Sequence, residues 1–268
     1  MMKVAKIALS IACMTASAMA VADTADIVAV NNQVGIQLIS TSVNYTETAN
    51  GATADTESGS VPGYALSLST MQDLWLGNDY IQVEYDHNSG HTNYVGAPVG
   101  GGAYGSVVGQ SGATLANYSA RYGTGFVIGD EAMLTPYIEI GHHSWDRGVN
   151  YGETYTHNYY GIGALGQCTS PVSGLVFTAN ALIGSTFGSN IDVGSGPGLT
   201  GFSGALGNST LYKFGLSADY AFTQNFHGNI GADYTSFKYG MSAVYGAYYE
   251  PDSKTSYTTL RVGLGYAF

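Results

Sequence analysis

The sequence predicts an all-β fold: a closed antiparallel transmembrane β-barrel of about ten strands. Three observations predict it. Apolar and polar residues alternate with period two along nearly the whole chain beyond residue 22. The connections between these alternating segments are by turns short and long. The last segment ends on an aromatic residue, Phe268. Side chains alternate across a strand, so such a pattern separates a greasy face from a polar or small one. Lipid offers no partners to backbone N–H and C=O groups, so a sheet that spans it must close on itself.

At the N-terminus, Lys3 and Lys6 precede an apolar stretch from Ile7 to Met14, and Ala16, Ser17, Ala18, Ala20 and Ala22 follow. That order predicts a secretory signal peptide over 1–22, cleaved after Ala22, with the barrel domain over 23–268. Cys13 falls too early for a lipoprotein signal, and Ser10 is a poor residue three places before it. No later stretch is long and apolar enough for a transmembrane helix, and no helical stripe of useful length is visible.

Composition points the same way. The chain has 38 Gly and 22 Tyr but only 8 Lys plus Arg against 19 Asp plus Glu. Nucleic acid is disfavoured as a partner, because phosphate needs a basic surface. Cys168 is left alone after the signal, so no intrachain disulfide can form, and it sits in an expected turn before Pro171.

The expected strands are 33–46, 62–71, 79–88, 114–128, 134–146, 154–167, 173–187, 210–222, 226–239 and 255–268. The final one shows the pattern best: Leu260, Val262, Leu264, Tyr266 and Phe268 share one face, while Thr259, Arg261, Gly263, Gly265 and Ala267 share the other. The short connections are 72–78, 129–133, 168–172 and 223–225; the long ones are 47–61, 89–113, 147–153, 188–209 and 240–254. An even strand count places both termini on the side of the short turns, the periplasmic side in such barrels. Eight or twelve strands follow if a long loop removes or hides a hairpin.

These features resemble the porin-like outer-membrane β-barrel proteins of Gram-negative bacteria. The resemblance rests on the signal peptide, the alternation and the end Arg261-Val262-Gly263-Leu264-Gly265-Tyr266-Ala267-Phe268. It implies an outer-membrane location, contact with outer-membrane lipid and lipopolysaccharide, and a last strand read by the barrel-assembly machinery during insertion.

Candidate chemistry lies on the inward face. Glu84, Asp86, Glu139, Asp219 and Asp233 have inward parity, as do Arg121, Lys213 and Arg261. Charges in a narrow lumen are costly unless paired or hydrated, so they predict a bracing ion-pair network or a constriction. Glu84-x-Asp86 is similar to the Asp-x-Asp pair of the omptin outer-membrane proteases. Here the first position is Glu, and the Asp-x-His pair that family requires is missing.

His87-Asn88-Ser89 and His142-His143-Ser144 have outward parity and lack the continuation of outer-membrane lipid hydrolases. Gly161-Ile162-Gly163-Ala164-Leu165-Gly166 matches a dinucleotide fingerprint but falls within a strand, where no helix opens. Glu47, Asp55, Glu57, Asp192, Glu250 and Asp252 are expected on solvated loops without metal-ligand spacing.

Neither cofactor nor catalytic group is expected. The first functional expectation is a porin-like barrel, structural or weakly conducting for small polar solutes. The alternative is a surface-binding barrel whose long loops hold an extracellular ligand; an outer-membrane hydrolase comes third.

Overall fold

The structure, a computed structural model, describes residues 24–98 and 102–268. The expected signal peptide and its cleavage point lie outside the described residues. A short helix, α1 (Thr24–Val30), precedes twelve strands: β1 (Gln33–Ala49), β2 (Ala52–Gln72), β3 (Asp79–Gly96), β4 (Val107–Thr124), β5 (Phe126–Ile128), β6 (Ala132–Arg147), β7 (Glu153–Thr169), β8 (Leu175–Val193), β9 (Phe202–Ala205), β10 (Thr210–Ala221), β11 (Phe226–Tyr239) and β12 (Asp252–Ala267). All pairings are antiparallel.

β1 pairs with β2 on one side and β12 on the other, and β8 pairs with β10, so ten long strands close into a barrel. The short β5 pairs with β6, and the short β9 with β8. The seam between first and last strands runs in unbroken register from Gln33 opposite Ala267 to Thr48 opposite Asp252.

The outer surface carries the apolar side of the alternation. Along β1, Val34, Ile36 and Leu38 are exposed, and Leu260, Val262 and Leu264 are exposed beside them on β12. Farther along β1 the outward positions become Ser42, Asn44 and Thr48, which are exposed and polar. A spanning strand needs about 9–11 residues, yet β1 has 17 and β2 has 21. The surplus sits at the end away from the termini, beyond the apolar belt.

At the terminal end the turns are short and greasy. Leu74, Trp75 and Leu76 stay exposed while their three backbone N–H groups donate to Asp79 Oδ2 at 3.1, 2.7 and 2.9 Å. Val172, Phe222, Phe226 and Phe268 are exposed at the same end. A second set of outward aromatics, Tyr64, Tyr85 and Tyr118, stacks edge-wise or face-wise across β2, β3 and β4. Two such girdles flanking an apolar band are what bilayer interfaces select.

Three sequence expectations are corrected. The chain beyond residue 22 does contain a helix; α1 has seven residues, too few to show periodicity. Its Ile27 is fully buried, and Asp26 accepts the Gly174 N–H at 3.2 Å. Next, the long connections 47–61 and 89–113 are mostly strand. β1 and β2 join through two residues, Asn50 (φ 52°) and Gly51 (φ 79°), whose positive φ values suit the tight primed hairpin turn. Polar side chains on both faces had hidden these strand ends. Finally, Cys168 lies within β7 and is buried.

Candidate functional site

The inward face builds the site, and it divides into layers. Nearest the termini, α1 and the residues after it close the lumen. Asn31 and Gln167 exchange amide hydrogen bonds at 2.7 and 3.2 Å. Asn32 Nδ2 donates to the Met71 carbonyl at 3.0 Å, and the Met71 N–H returns a bond to Asn32 Oδ1 at 2.9 Å.

Asp219 lies close by. It accepts from His227 Nδ1 at 2.6 Å, and both side chains are buried.

The other seven inward charges meet in two knots across the middle of the lumen. In one, Arg261 grips Asp86 with both terminal nitrogens at 3.0 and 2.8 Å, reaches Asp233 through Nε at 2.5 Å, and lies 3.2 Å from Glu84. In the other, Glu139 accepts from Arg121 at 2.6 and 2.8 Å and from Lys213 at 2.8 Å. Lys213 also donates to Tyr159, and Tyr159 to Glu139, at 2.6 and 2.9 Å. Period two made this legible: residues two apart on one strand share the lumen, whichever strands supply the partners.

Glu84 and Asp86 therefore stand inside the barrel, tied to a guanidinium, rather than at the outer rim where the omptin-type reading would need them. Inward glycines give the knots room. A Cβ at Gly141 would collide with the Tyr159 ring, and one at Gly163 with the Tyr137 ring. Within the literal glycine fingerprint, Gly163 thus packs against the Tyr137 ring and Gly161 against Leu182. Between α1 and the next layer, a polar cavity of about 240 Å³ remains, lined among others by Glu84, Arg121, Lys213 and Asp233.

An aromatic and histidine layer covers that cavity. His143 bonds to Asn117 at 2.7 Å and to Tyr257 at 3.1 Å; His157 bonds to Tyr239 at 2.7 Å. His142, on the opposite parity, faces outward and bonds to Asn158 at 3.0 Å. Above sit Tyr45, Trp145 and Tyr155, each no more than 1% exposed. Their rings pack at 5.3, 5.9 and 6.1 Å between centroids.

The outermost layer was missed by the sequence reading. Arg147 is buried and donates Nε to Glu57 at 2.6 Å, Nη1 to Glu153 at 2.8 Å, and Nη2 to Asp55 at 3.3 Å. Glu47 and Glu250 lie beside this set, with the Tyr45 hydroxyl, which has one proton to donate, 3.1 and 3.3 Å from them. Tyr155 also donates to Glu250. Glu47, Asp55, Glu57 and Glu250, expected on solvated loops, are all buried; only Asp192 and Asp252 of that group remain exposed. Strand ends carry Glu47, Asp55 and Glu57 inward, Glu47 at the same parity as Val43 and Tyr45, and Glu250 lies just before β12. Burial, and then Asp55, push the Glu47 carboxyl up to about 8. Burial also raises Glu250 well above the usual carboxylate range, with Glu47 and Glu153 adding to the shift.

No protein-family model matches this sequence, and no curated protein matches it. Solved structures do. The outer membrane protease OmpT from Escherichia coli superposes with a TM-score of 0.57 at 10% identity, covering 89% of this chain and 97% of that one. The chain has the fold of an outer-membrane β-barrel. Looser likenesses, each with a TM-score of 0.40 at 12% identity, are to OprG from Pseudomonas aeruginosa and to the translocator domain of the autotransporter NalP from Neisseria meningitidis. OprG covers 88% of this chain and 96% of its own, NalP 100% and 95%. At such identities the likeness is one of fold alone. It accords with the closed ten-stranded barrel, the girdles and the outer-membrane location, and carries no activity across.

Proposed function

We propose that this chain is a closed, non-enzymatic outer-membrane barrel that acts as a binding protein through the strand extension beyond its apolar belt. The observation that carries this reading is the layered obstruction of the lumen. α1, two ion-pair knots, the histidine layer and the Tyr45–Trp145–Tyr155 stack succeed one another along the axis. A conducting pore needs a hydrated path; beyond the polar cavity of about 240 Å³, Trp145, Tyr155 and Tyr239 are fully buried, which argues against one. The extension, by contrast, is a hydrogen-bonded sheet with polar outward positions, a base for recognition.

The reading places the termini and greasy turns in the periplasm and the extension outside the cell, against lipopolysaccharide at the outer girdle. The strand Leu260–Phe268 would then serve the assembly machinery. The bracing role of the eight inward charges belongs to the same reading.

Planar-bilayer recording of the purified protein tests it: a flat trace is expected, and discrete current steps would replace the binding reading with a pore. A peptide tag inserted after Gly51 should be reached by antibody on intact cells; a tag reached only after lysis reverses the orientation.

A further inference from the structure

The following rests on the binding reading and names the ligand class. Above Arg147 the barrel mouth opens into a pocket of about 310 Å³. Glu47, Asp55, Glu153 and Glu250 line it, and no lysine, arginine or histidine does. Its walls include Val193, Leu199, Phe202 and Tyr248. Arg147 lies beneath with its guanidinium already engaged by Glu57, Glu153, Asp55 and Tyr155. Three buried carboxylates thus share one guanidinium, and the two beside them, Glu47 and Glu250, meet tyrosine hydroxyls in place of a cation.

Tyr94 is an independent sign. It is 7% exposed and lines the same pocket. Its hydroxyl makes no hydrogen bond among the described residues and is not one of the fully enclosed unpaired polar atoms, so it stands open to the pocket it lines. The ring folds over Gly96 toward Asp55: a Cβ at Gly96 would collide with the hydroxyl and lie 3.0 Å from Asp55 Cβ. An unpaired acceptor-donor therefore stands beside an acidic floor.

We propose that this pocket binds an organic cation, a guanidinium or primary ammonium carried on an apolar stem. Carboxylates take the N–H donors in short, charge-assisted bonds. The Phe202 and Tyr248 rings and the Leu199 side chain suit the stem, and aromatic faces also attract the cation. A bare divalent ion suits the pocket poorly, since the described residues hold no group of His, Cys, Asp and Glu arranged for a metal.

Binding has a proton signature. The groups facing Glu47 and Glu250 are Tyr45 from β1, Asp55 and Glu57 from β2, Tyr94 from β3, Arg147 from β6, and Glu153 and Tyr155 from β7. Only Arg147 is cationic. A bound cation favours the ionised carboxylates, so it must release protons, and affinity must rise between about pH 6 and pH 8.

The test uses the full barrel in detergent micelles with Trp75→Phe, so that Trp145 is the only tryptophan reporting. N-acetyl-argininamide is titrated while Trp145 emission is read; N-acetyl-citrullinamide is its neutral control. We expect saturation with the arginine compound, none with citrulline, and proton release by calorimetry in buffers of different ionisation heat. The double variant Glu47→Gln/Glu250→Gln should weaken binding by about tenfold or more, the loss of charge-assisted bonds. Asp192→Asn, on the exposed surface, should leave it unchanged.

If the double variant does not fold, as judged by unboiled gel mobility, Tyr94→Phe and the proton release on the parent chain decide. Equal response to citrulline, saturation by calcium chloride alone, or no response in folded protein would overturn the proposal. A silent titration beside a silent bilayer removes the cation but leaves the binding reading; current steps remove the reading itself.

Discussion

The two halves of the lumen handle buried charge in opposite ways. In the membrane-level half, Arg121, Lys213 and Arg261 answer Glu84, Asp86, Glu139 and Asp233 in closed knots. In the outer half, Arg147 faces five carboxylates alone. Near balance suits a structural brace, because an unpaired charge in a dry interior is far costlier than a paired one. Surplus negative charge in the outer half is held by raised carboxyl pKa values instead, which leaves that half poised to exchange protons for a cation.

The sharpest break of this contrast is Arg147→Met. It strands Glu57, Glu153 and Asp55 without a cation, and removing one member of a buried pair costs about 3–5 kcal/mol. Hydrogen exchange should accelerate in β1, β2 and β7 beyond Tyr45 and Tyr155, while the unboiled gel shift of the whole barrel persists. Loss of the gel shift would show that the two halves fold as one unit.

A double-mutant cycle on Lys213→Met and Glu139→Gln should return a coupling of about 1–3 kcal/mol in denaturant unfolding from micelles, the range for contacting residues of one network. Additive effects would show that the knot is not a brace.

Raising pH should loosen the outer half. The Glu47 carboxyl is raised in the folded state to about 8, above its unfolded value. Its stabilising contribution is therefore complete below about pH 4.5 and is lost as pH climbs through about 8. Exchange at Tyr45, Glu47 and Asp55 should rise across that window; a flat profile would contradict the assignment of Glu47 as neutral in the native barrel. The smallest effect is expected from Tyr94→Phe, within about 0.5 kcal/mol by denaturant unfolding, because the hydroxyl loses no partner.

How much of this was legible in the sequence follows from where apolar residues fall. Inside the lipid belt one face of each strand must be greasy, so Leu260 to Phe268 announced both strand and register, and Arg261, Asp86 and Glu139 fell on the inner face by parity. Past the belt that constraint disappears. Ser42, Asn44 and Thr48 face water while Glu47 faces the lumen, so both faces read as polar and the segment resembles a loop. A signal was present: Tyr45-x-Glu47, Asp55-x-Glu57 and Trp145-x-Arg147 repeat the same spacing of large aromatics and charges at inward parity. The pairing of Asp219 with His227 also followed parity, but nothing local named the partner. Nothing in seven residues of α1 could announce a helix, since its stability comes from burying Ile27 against strands far away in sequence.

The seam described above sets the order of biogenesis. Gln33 meets Ala267 and Thr48 meets Asp252, so the first strand keeps an open edge until β12 is in place. Joining ends more than 200 residues apart (Ala267 minus Gln33) is an entropically late event, and contacts so distant in sequence slow folding. Closure of the ring therefore waits on β12, and every hydrogen bond along that line depends on the strand most distant in sequence from β1.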